Sequence, residues 1–287
     1  MKDKAEYARK GISRGRAIVA IEYREGLAGA AVVCGTLWLV PALRPNGVGA
    51  VELGVLAVSI LAACLADAGY RAIAYDQLGF GRSDKPRSAG EYSLERHERH
   101  VAALADELAL DGVTLVLQDW GGPIGLRWAA EQPRRVRRLV LLNTFSQTAP
   151  TGRGPFRWPL TRDLLVKLMH FYVRGFLFRG GLRHPERLGE NERAAYLAPH
   201  PTPSSRSGIL AYTRLAADPL RLEALRGKPV LFVWGLRDRA LHDVALRRWQ
   251  ERLPGGKALE LEDSASFVPE DAPQESLQAI LRFLERA

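Results

Sequence analysis

The chain has 287 residues, of which 47% are hydrophobic and 25% are charged, and its formal net charge is +9. These values are ordinary for a soluble globular protein. The basic residues are spread along the whole chain without a dense block, so the charge predicts general effects on solubility and no nucleic-acid partner.

Two cysteines, Cys34 and Cys64, give neither a disulfide framework nor the spacing of a metal site, which fits a reducing compartment. The first residues lack the apolar core of a signal peptide, and the apolar run at 53–66 is shorter than the ~20 residues that span a bilayer. We therefore expect a cytoplasmic monomer with no membrane partner, no metal and no cofactor.

Strand-like and helix-like segments alternate along most of the chain. In chain order, the predicted elements are strands at 17–23 and 30–34, a helix at 51–69, a strand at 71–75, a helix at 94–110 capped by Ser93, a strand at 113–118, a helix at 123–132, strands at 136–143 and 229–234, a helix before the strand at 258–261, and a helix at 275–286. This alternation predicts a mostly parallel sheet covered by helices on both faces, with ligands at the carboxyl ends of the strands.

The segment at 149–216 interrupts this rhythm, because it is rich in proline, arginine and aromatic residues. It reads as short helices at 160–178, 190–197 and 206–217. An insertion at the catalytic end of a sheet would form a cap over the site, although a surface excursion without function is the alternative. We predict a core made of 1–148 and 217–287 and a helical cap at 149–216.

The most informative stretch is 113–125, where a strand-like run ends in Asp119, Trp120 and two glycines before a predicted helix. A strand–turn–helix elbow of this kind exposes one side chain above the sheet edge. A carboxylate there can attack carbon and leave an alkyl ester on the enzyme. Trp120 supplies one N–H donor, which suits a departing anion. The alternative is that Asp119 only caps the helix.

Three motifs together resemble the α/β-hydrolase superfamily and, within it, the haloalkane dehalogenases. They are Tyr-Asp-Gln-Leu-Gly-Phe-Gly-Arg-Ser at 75–83, Gln-Asp-Trp-Gly-Gly at 118–122, and Trp-Gly-Leu-Arg-Asp at 234–238. The resemblance covers about residues 68–287, including the cap segment at 194–199. It implies the α/β-hydrolase fold, Asp119 as nucleophile, Trp120 as a halide-stabilising group, and Asp238 as the acid that orients a catalytic histidine.

The chain departs from this pattern at the histidine itself. The family's motif resembles Asp-Ala-Gly-His-Phe-Val-Pro-Glu-Asp, whereas this chain reads Asp-Ser-Ala-Ser-Phe-Val-Pro-Glu-Asp at 263–271, so Ser266 occupies the histidine position. A serine hydroxyl has no basicity near neutral pH. The other histidines are expected on an exposed helix (His97, His100), in the cap (His170, His184, His200), or after the Asp238 loop (His242), where a surface residue is the favoured interpretation.

A second departure lies after the strand at 30–34. The family has His-Gly there, and this chain has Cys-Gly-Thr at 34–36, so we assign the backbone of Thr36 to the oxyanion or halide site. A second halide donor is not apparent in the sequence. Trp38 and Trp158 are the residues that would substitute for it in space.

The leading hypothesis is a haloalkane dehalogenase-like hydrolase whose partners are water and a small organohalide or another apolar electrophile, with ester hydrolysis impaired by Ser266. One alternative is an epoxide hydrolase that uses Tyr172, Tyr196 or Tyr212 as the acid. The other is a catalytically degraded hydrolase that acts as a binding protein, which the residues at 34 and 266 favour.

Overall fold

The computed structural model describes residues 18–21, 30–34, 56–145, 181–212, 215 and 219–285. These residues form a seven-stranded sheet with the strand order β1-β3-β2-β4-β5-β6-β7. The strands are β1 (Ile18–Ile21), β2 (Ala30–Cys34), β3 (Arg71–Tyr75), β4 (Val113–Asp119), β5 (Val136–Thr144), β6 (Val230–Gly235) and β7 (Lys257–Leu261). Only β1 pairs antiparallel, with β3, and all other pairs in the described ranges are parallel, so the predicted mostly parallel sheet is confirmed.

The central strands are apolar almost throughout because both faces of the sheet are covered. Every residue of β6 is buried, as are all but one in each of β4 and β5. The α-helices in the described ranges are α1 (Leu56–Asp67), α2 (Leu94–Glu107), α3 (Gly121–Glu131), α4 (Glu190–Leu197), α5 (Ser207–Tyr212), α6 (Asp243–Arg252), α7 (Val268–Asp271) and α8 (Pro273–Glu285). Among them, α2 packs on α3, while α1 packs on α7 and α8.

Helix α2 begins where the sequence predicts, since the Ser93 side chain accepts a hydrogen bond from the Arg96 N–H. Its inner face carries Leu94, His97 and Val101 at helical spacing. The predicted exposure of His97 is therefore wrong: this side chain is 1% exposed. The spacing of its apolar neighbours was the signal for burial.

Helix α3 lies unusually close to the sheet. A Cβ atom added to Gly122 would lie 1.8 Å from Thr144 Oγ1, and one added to Gly125 would lie 2.5 Å from a Leu117 methyl carbon. A larger residue at either position would have to move the side chain of Thr144 or Leu117. The sequence Gly-Gly-Pro-Ile-Gly thus fixes the start of α3 against the end of the strand that carries Asp119.

About half of the predicted cap falls outside the described residues, which omit 146–180. The described part, 181–212, includes α4 and α5 at the bounds given above. It contacts the core through Ser207 Oγ, which donates to the Pro86 carbonyl oxygen at 2.7 Å, and through Tyr212. The division into core and cap stays a prediction. Across the described ranges, no helix is both long and apolar enough to cross a membrane.

Candidate active site

Asp119 is the last residue of β4 and has a strained backbone. Its φ angle is +48°, a conformation that residues other than glycine rarely adopt. The pairing of β4 with β5 shifts register at this point, and Thr144 Oγ1 donates to the Asp119 carbonyl oxygen at 2.5 Å. This is the geometry of an elbow that points a side chain away from the strand. Such strain persists only where surrounding contacts hold it.

Trp120 stands at the start of α3, directly after the elbow. Its ring is 8% exposed and lies against Phe145, at 5.3 Å between centroids. The N–H groups of Trp234 and Trp249 donate to carbonyl oxygens, but that of Trp120 makes no hydrogen bond to any residue in the described ranges. The indole N–H next to the candidate nucleophile therefore remains available to a ligand.

Asp238 and Ser266 are brought together from loops that are 28 residues apart. Ser266 Oγ donates to Asp238 Oδ2 at 2.6 Å, and Asp238 is 3% exposed. Asp238 Oδ1 accepts from the N–H groups of Ala240 and Leu241. Among the described residues, Asp238 forms no ion pair with the neighbouring Arg237 or Arg239, and Arg237 Nε donates to the Glu262 carbonyl oxygen.

Two amides that the sequence reasoning missed hold these loops. Asn143, at the end of β5, donates to Asp238 Oδ2 at 3.1 Å and exchanges hydrogen bonds with the backbone of Gly235. Gln118, directly before Asp119, donates to the Ser266 carbonyl oxygen at 2.7 Å. Both are polar residues at the carboxyl end of an otherwise apolar buried strand, which was the signal available in the sequence.

The loop at 263–271 is also held by the buried carboxylate of Asp271. This group accepts from the N–H groups of Arg183, His184 and Ala265 at 2.8–3.0 Å. It therefore ties the first described residues after 180 to the residue that precedes Ser266. Each of these bonds uses the main chain of the donor, so none depends on the side chain at position 266.

Two of the described histidines are paired with carboxylates. His242 is half exposed at the start of α6, and its ring pairs with Asp243, in agreement with the surface interpretation. His184 lies between Glu186 and Asp263. His170 lies outside the described residues.

Burial keeps two other histidines neutral. Burial lowers the pKa of His97 to about 3, with His100 and Arg96 adding positive charge nearby. Burial likewise lowers the pKa of His200 to about 3, and its Nδ1 lies 2.6 Å from the Ser205 carbonyl oxygen. Neither ring is poised to accept a proton at neutral pH.

Two of the three tyrosines considered as epoxide acids are engaged elsewhere. Tyr196 OH donates to Glu270, and Tyr212 OH donates to Gln77 Oε1 at 2.8 Å. Both tyrosines are buried. The epoxide hypothesis therefore depends on Tyr172, which lies outside the described residues.

Three further predicted site residues, Thr36, Trp38 and Trp158, lie outside the described ranges. Over those ranges, no cluster of three His, Cys, Asp or Glu side chains is arranged to hold a metal ion. A cavity of about 580 Å³ is present, but it lies against α2 and α3 and is lined by none of the predicted site residues. Its walls are Glu98, Arg127, Ala130, Glu131, Pro219, Leu220, Arg221 and Glu223.

The candidate groups in the described residues are a carboxylate on an elbow, an indole N–H beside it, and an acid that accepts a hydrogen bond from a serine hydroxyl. Comparison with known proteins identifies the family of the chain. The profile of the alpha/beta hydrolase fold family matches residues 51–273. A haloalkane dehalogenase of Mycolicibacterium paratuberculosis is 36% identical over 235 residues, covering 76% of this chain and 75% of the relative.

A second kind of relative carries a different name. The cis-3-alkyl-4-alkyloxetan-2-one decarboxylase of Shewanella oneidensis is 31% identical over 75% of this chain and 74% of its own length. Among solved structures, a mutant of the haloalkane dehalogenase DatA from Agrobacterium tumefaciens superimposes with a TM-score of 0.70 at 24% identity, covering 96% of this chain and 98% of that one. The enol-lactonase from Burkholderia xenovorans gives a TM-score of 0.71 at 21% identity, over 94% and 96%.

Proposed function

This chain belongs to the α/β-hydrolase superfamily and is haloalkane dehalogenase-like, and from that premise we propose that it cleaves carbon–halogen bonds through an ester of Asp119. The observation that carries the proposal is the strained elbow at Asp119 with the indole N–H of Trp120 beside it, which has no acceptor among the described residues. The Asp119 carboxylate attacks the halogen-bearing carbon, and the carbon–halogen bond breaks as the carbon–oxygen bond forms. The halide leaves toward the Trp120 N–H.

Hydrolysis of the ester, which releases the product, is expected to be the slow step of this cycle. Hydrolysis of the ester needs a group that takes a proton from water, and such a base contributes ~10²–10⁴-fold to the rate. Ser266 holds the expected position, and its hydroxyl donates a hydrogen bond to Asp238. We therefore expect the ester to form faster than it is hydrolysed.

The test is to incubate the protein with bromobutane, measure bromide release, and determine the intact mass. A single bromide per enzyme and a butyl mass increase located on Asp119 are expected. Asp119→Asn is the control and should give neither. Sustained release of bromide by the unmodified protein would contradict the impaired second step, and absence of both adduct and bromide would contradict the proposed reaction.

A second candidate reaction is favoured by Ser266 together with the oxetanone decarboxylase relatives. In a four-membered lactone, Asp119 can attack the alkyl carbon that bears the ring oxygen, which leaves as a carboxylate. Loss of carbon dioxide then forms a carbon–carbon double bond and expels the Asp119 carboxylate. This sequence regenerates Asp119 without water and without a base, so the serine would not impair it.

The two candidates are separated by the number of turnovers. A dialkyl four-membered lactone should give alkene and carbon dioxide over many cycles if the second candidate holds, and Asp119→Asn should give none. If the lactone is unchanged while bromobutane labels Asp119, the dehalogenase-like reaction stands alone.

A further inference from the structure

A buried polar and aromatic cluster lies behind Trp120 and is not used by the reaction described above. Its centre is Tyr212, the last residue of α5, which is 3% exposed. The Tyr212 ring is perpendicular to the Trp120 ring, with centroids 5.9 Å apart. It also meets Phe80 edge-on at 4.7 Å. Trp120 is thus flanked by Tyr212 and by Phe145.

The hydroxyl group anchors Tyr212 to the core. It donates to Gln77 Oε1 at 2.8 Å and lies 3.4 Å from His97 Nδ1. Gln77 is fully buried, just beyond the end of β3, and His97 is on the inner face of α2. A residue from the predicted cap is therefore fixed by two separate elements of the core.

Trp120 has no such anchor of its own among the described residues. Trp234 and Trp249 are each oriented by a hydrogen bond from the indole N–H, to the carbonyl oxygens of Leu241 and Thr144. In the described part of the chain the Trp120 N–H has no acceptor. Within the described ranges, packing against the rings of Phe145 and Tyr212 is therefore what orients this indole.

We propose that Tyr212, anchored by Gln77, is a positioning residue that holds the Trp120 indole in the direction in which its N–H receives the leaving anion. The role of the anion rests on the proposed function, whereas the packing role does not. Edge-to-face aromatic pairs add affinity or stability beyond the buried area, and loss of one is expected to change anion affinity by about two- to ten-fold.

The experiment measures tryptophan fluorescence with iodide as the probe. The Trp120 signal is obtained by subtracting the spectrum of Trp120→Phe from that of the parent. Tyr212→Leu should weaken iodide binding at Trp120 by about two- to ten-fold and lower the anisotropy of the Trp120 signal. The same substitution in the Trp120→Phe background should leave the remaining tryptophan emission unchanged.

Tyr196→Phe is the matched control, because Tyr196 is another buried tyrosine, with its hydroxyl on Glu270. It should leave both readouts at parent values. If Tyr212→Leu does not fold, Tyr212→Phe keeps the ring and removes the hydroxyl with its bond to Gln77 and its contacts with Leu78 and His97, and a lowered anisotropy of Trp120 is still expected.

The proposal is overturned if folded Tyr212 variants retain both the parent iodide affinity and the parent anisotropy of Trp120. A parent protein in which iodide does not perturb Trp120 would count against the proposed halide site. The anisotropy measurement would then still decide whether Tyr212 positions the indole.

Discussion

The elbow at Asp119 and the loop at 263–271 are both held by hydrogen bonds, but they differ in the side chain that they present. At the elbow, a strained backbone and the Thr144 hydrogen bond present a carboxylate. In the loop, Gln118 and Asp271 hold the backbone around position 266, and Asp238 lies behind it. The residue presented there is a serine.

The loop at 263–271 is thus held through its main chain, independently of the side chain at position 266. The contacts to the loop are made through the Ser266 carbonyl, the Ala265 N–H and the Phe267 N–H, which donates to Gly181. A side-chain replacement at 266 leaves these main-chain bonds in place. At the elbow, by contrast, backbone and nucleophile belong to the same residue.

The largest effect is expected from a base introduced at position 266, which would remove the difference between the two regions. Ser266→His should restore ester hydrolysis and raise steady-state turnover of bromobutane by ~10²–10⁴-fold, because a general base contributes that much. The measurement is bromide release beyond one equivalent. Adding Asp238→Asn should remove most of the gain, since the imidazole would lose its orienting carboxylate. An unchanged rate in Ser266→His would show that the loop does not face the ester.

The loop scaffold is expected to depend on Asp271 more than on any exposed charge near it. Asp271→Ala leaves the N–H groups of Arg183, His184 and Ala265 without their acceptor and should lower the free energy of unfolding by about 3 kcal/mol. Urea unfolding measures this. Asp263→Ala is the control, because Asp263 pairs with Arg183 and His184 while exposed, and it should cost far less. Equal costs would mean that the buried carboxylate does not hold the loop.

The smallest expected effect is on the pH dependence of the free energy of unfolding. The pKa of His97 is lowered to about 3 from 6.5, so the unfolded state binds a proton that the folded state does not. The contribution of the neutral His97 ring to the free energy of unfolding is complete above pH 6.5. It is lost as the pH falls toward 3, by at most about 1.4 kcal/mol per pH unit. Asp76, whose pKa burial raises to about 7, acts in the opposite direction.

His97→Gln should therefore remove the His97 part of the pH dependence, so that from about pH 7 to pH 5 its stability falls less, or rises more, than that of the parent, measured by urea unfolding at each pH. His242→Gln, at an exposed position, is the control. Parallel curves for the parent and His97→Gln would show that His97 is not the group that titrates.

Much of the fold was readable in the sequence. Strands β2 and β3 and helix α4 have the predicted bounds, and most other described elements differ by a few residues at their ends. Hydrophobic periodicity and the signals at element ends are local, so they predict an element without knowledge of what packs against it. Burial of His97 was not predicted, because histidine is a polar residue, although its spacing from Leu94 and Val101 places it on the buried face of the helix.

The elbow and the serine at position 266 are both visible in the sequence, since each belongs to a short run of adjacent residues with a recognisable order. The contacts between distant residues are visible in the folded chain alone: Ser266 donates to Asp238, Gln118 holds the carbonyl of Ser266, and Tyr212 lies against Trp120. The residues in each of these pairs are separated by 28, 148 and 92 positions along the chain. Contacts of that range follow from strand order and loop geometry, because parallel strands bring their carboxyl ends to one edge whatever their distance in sequence.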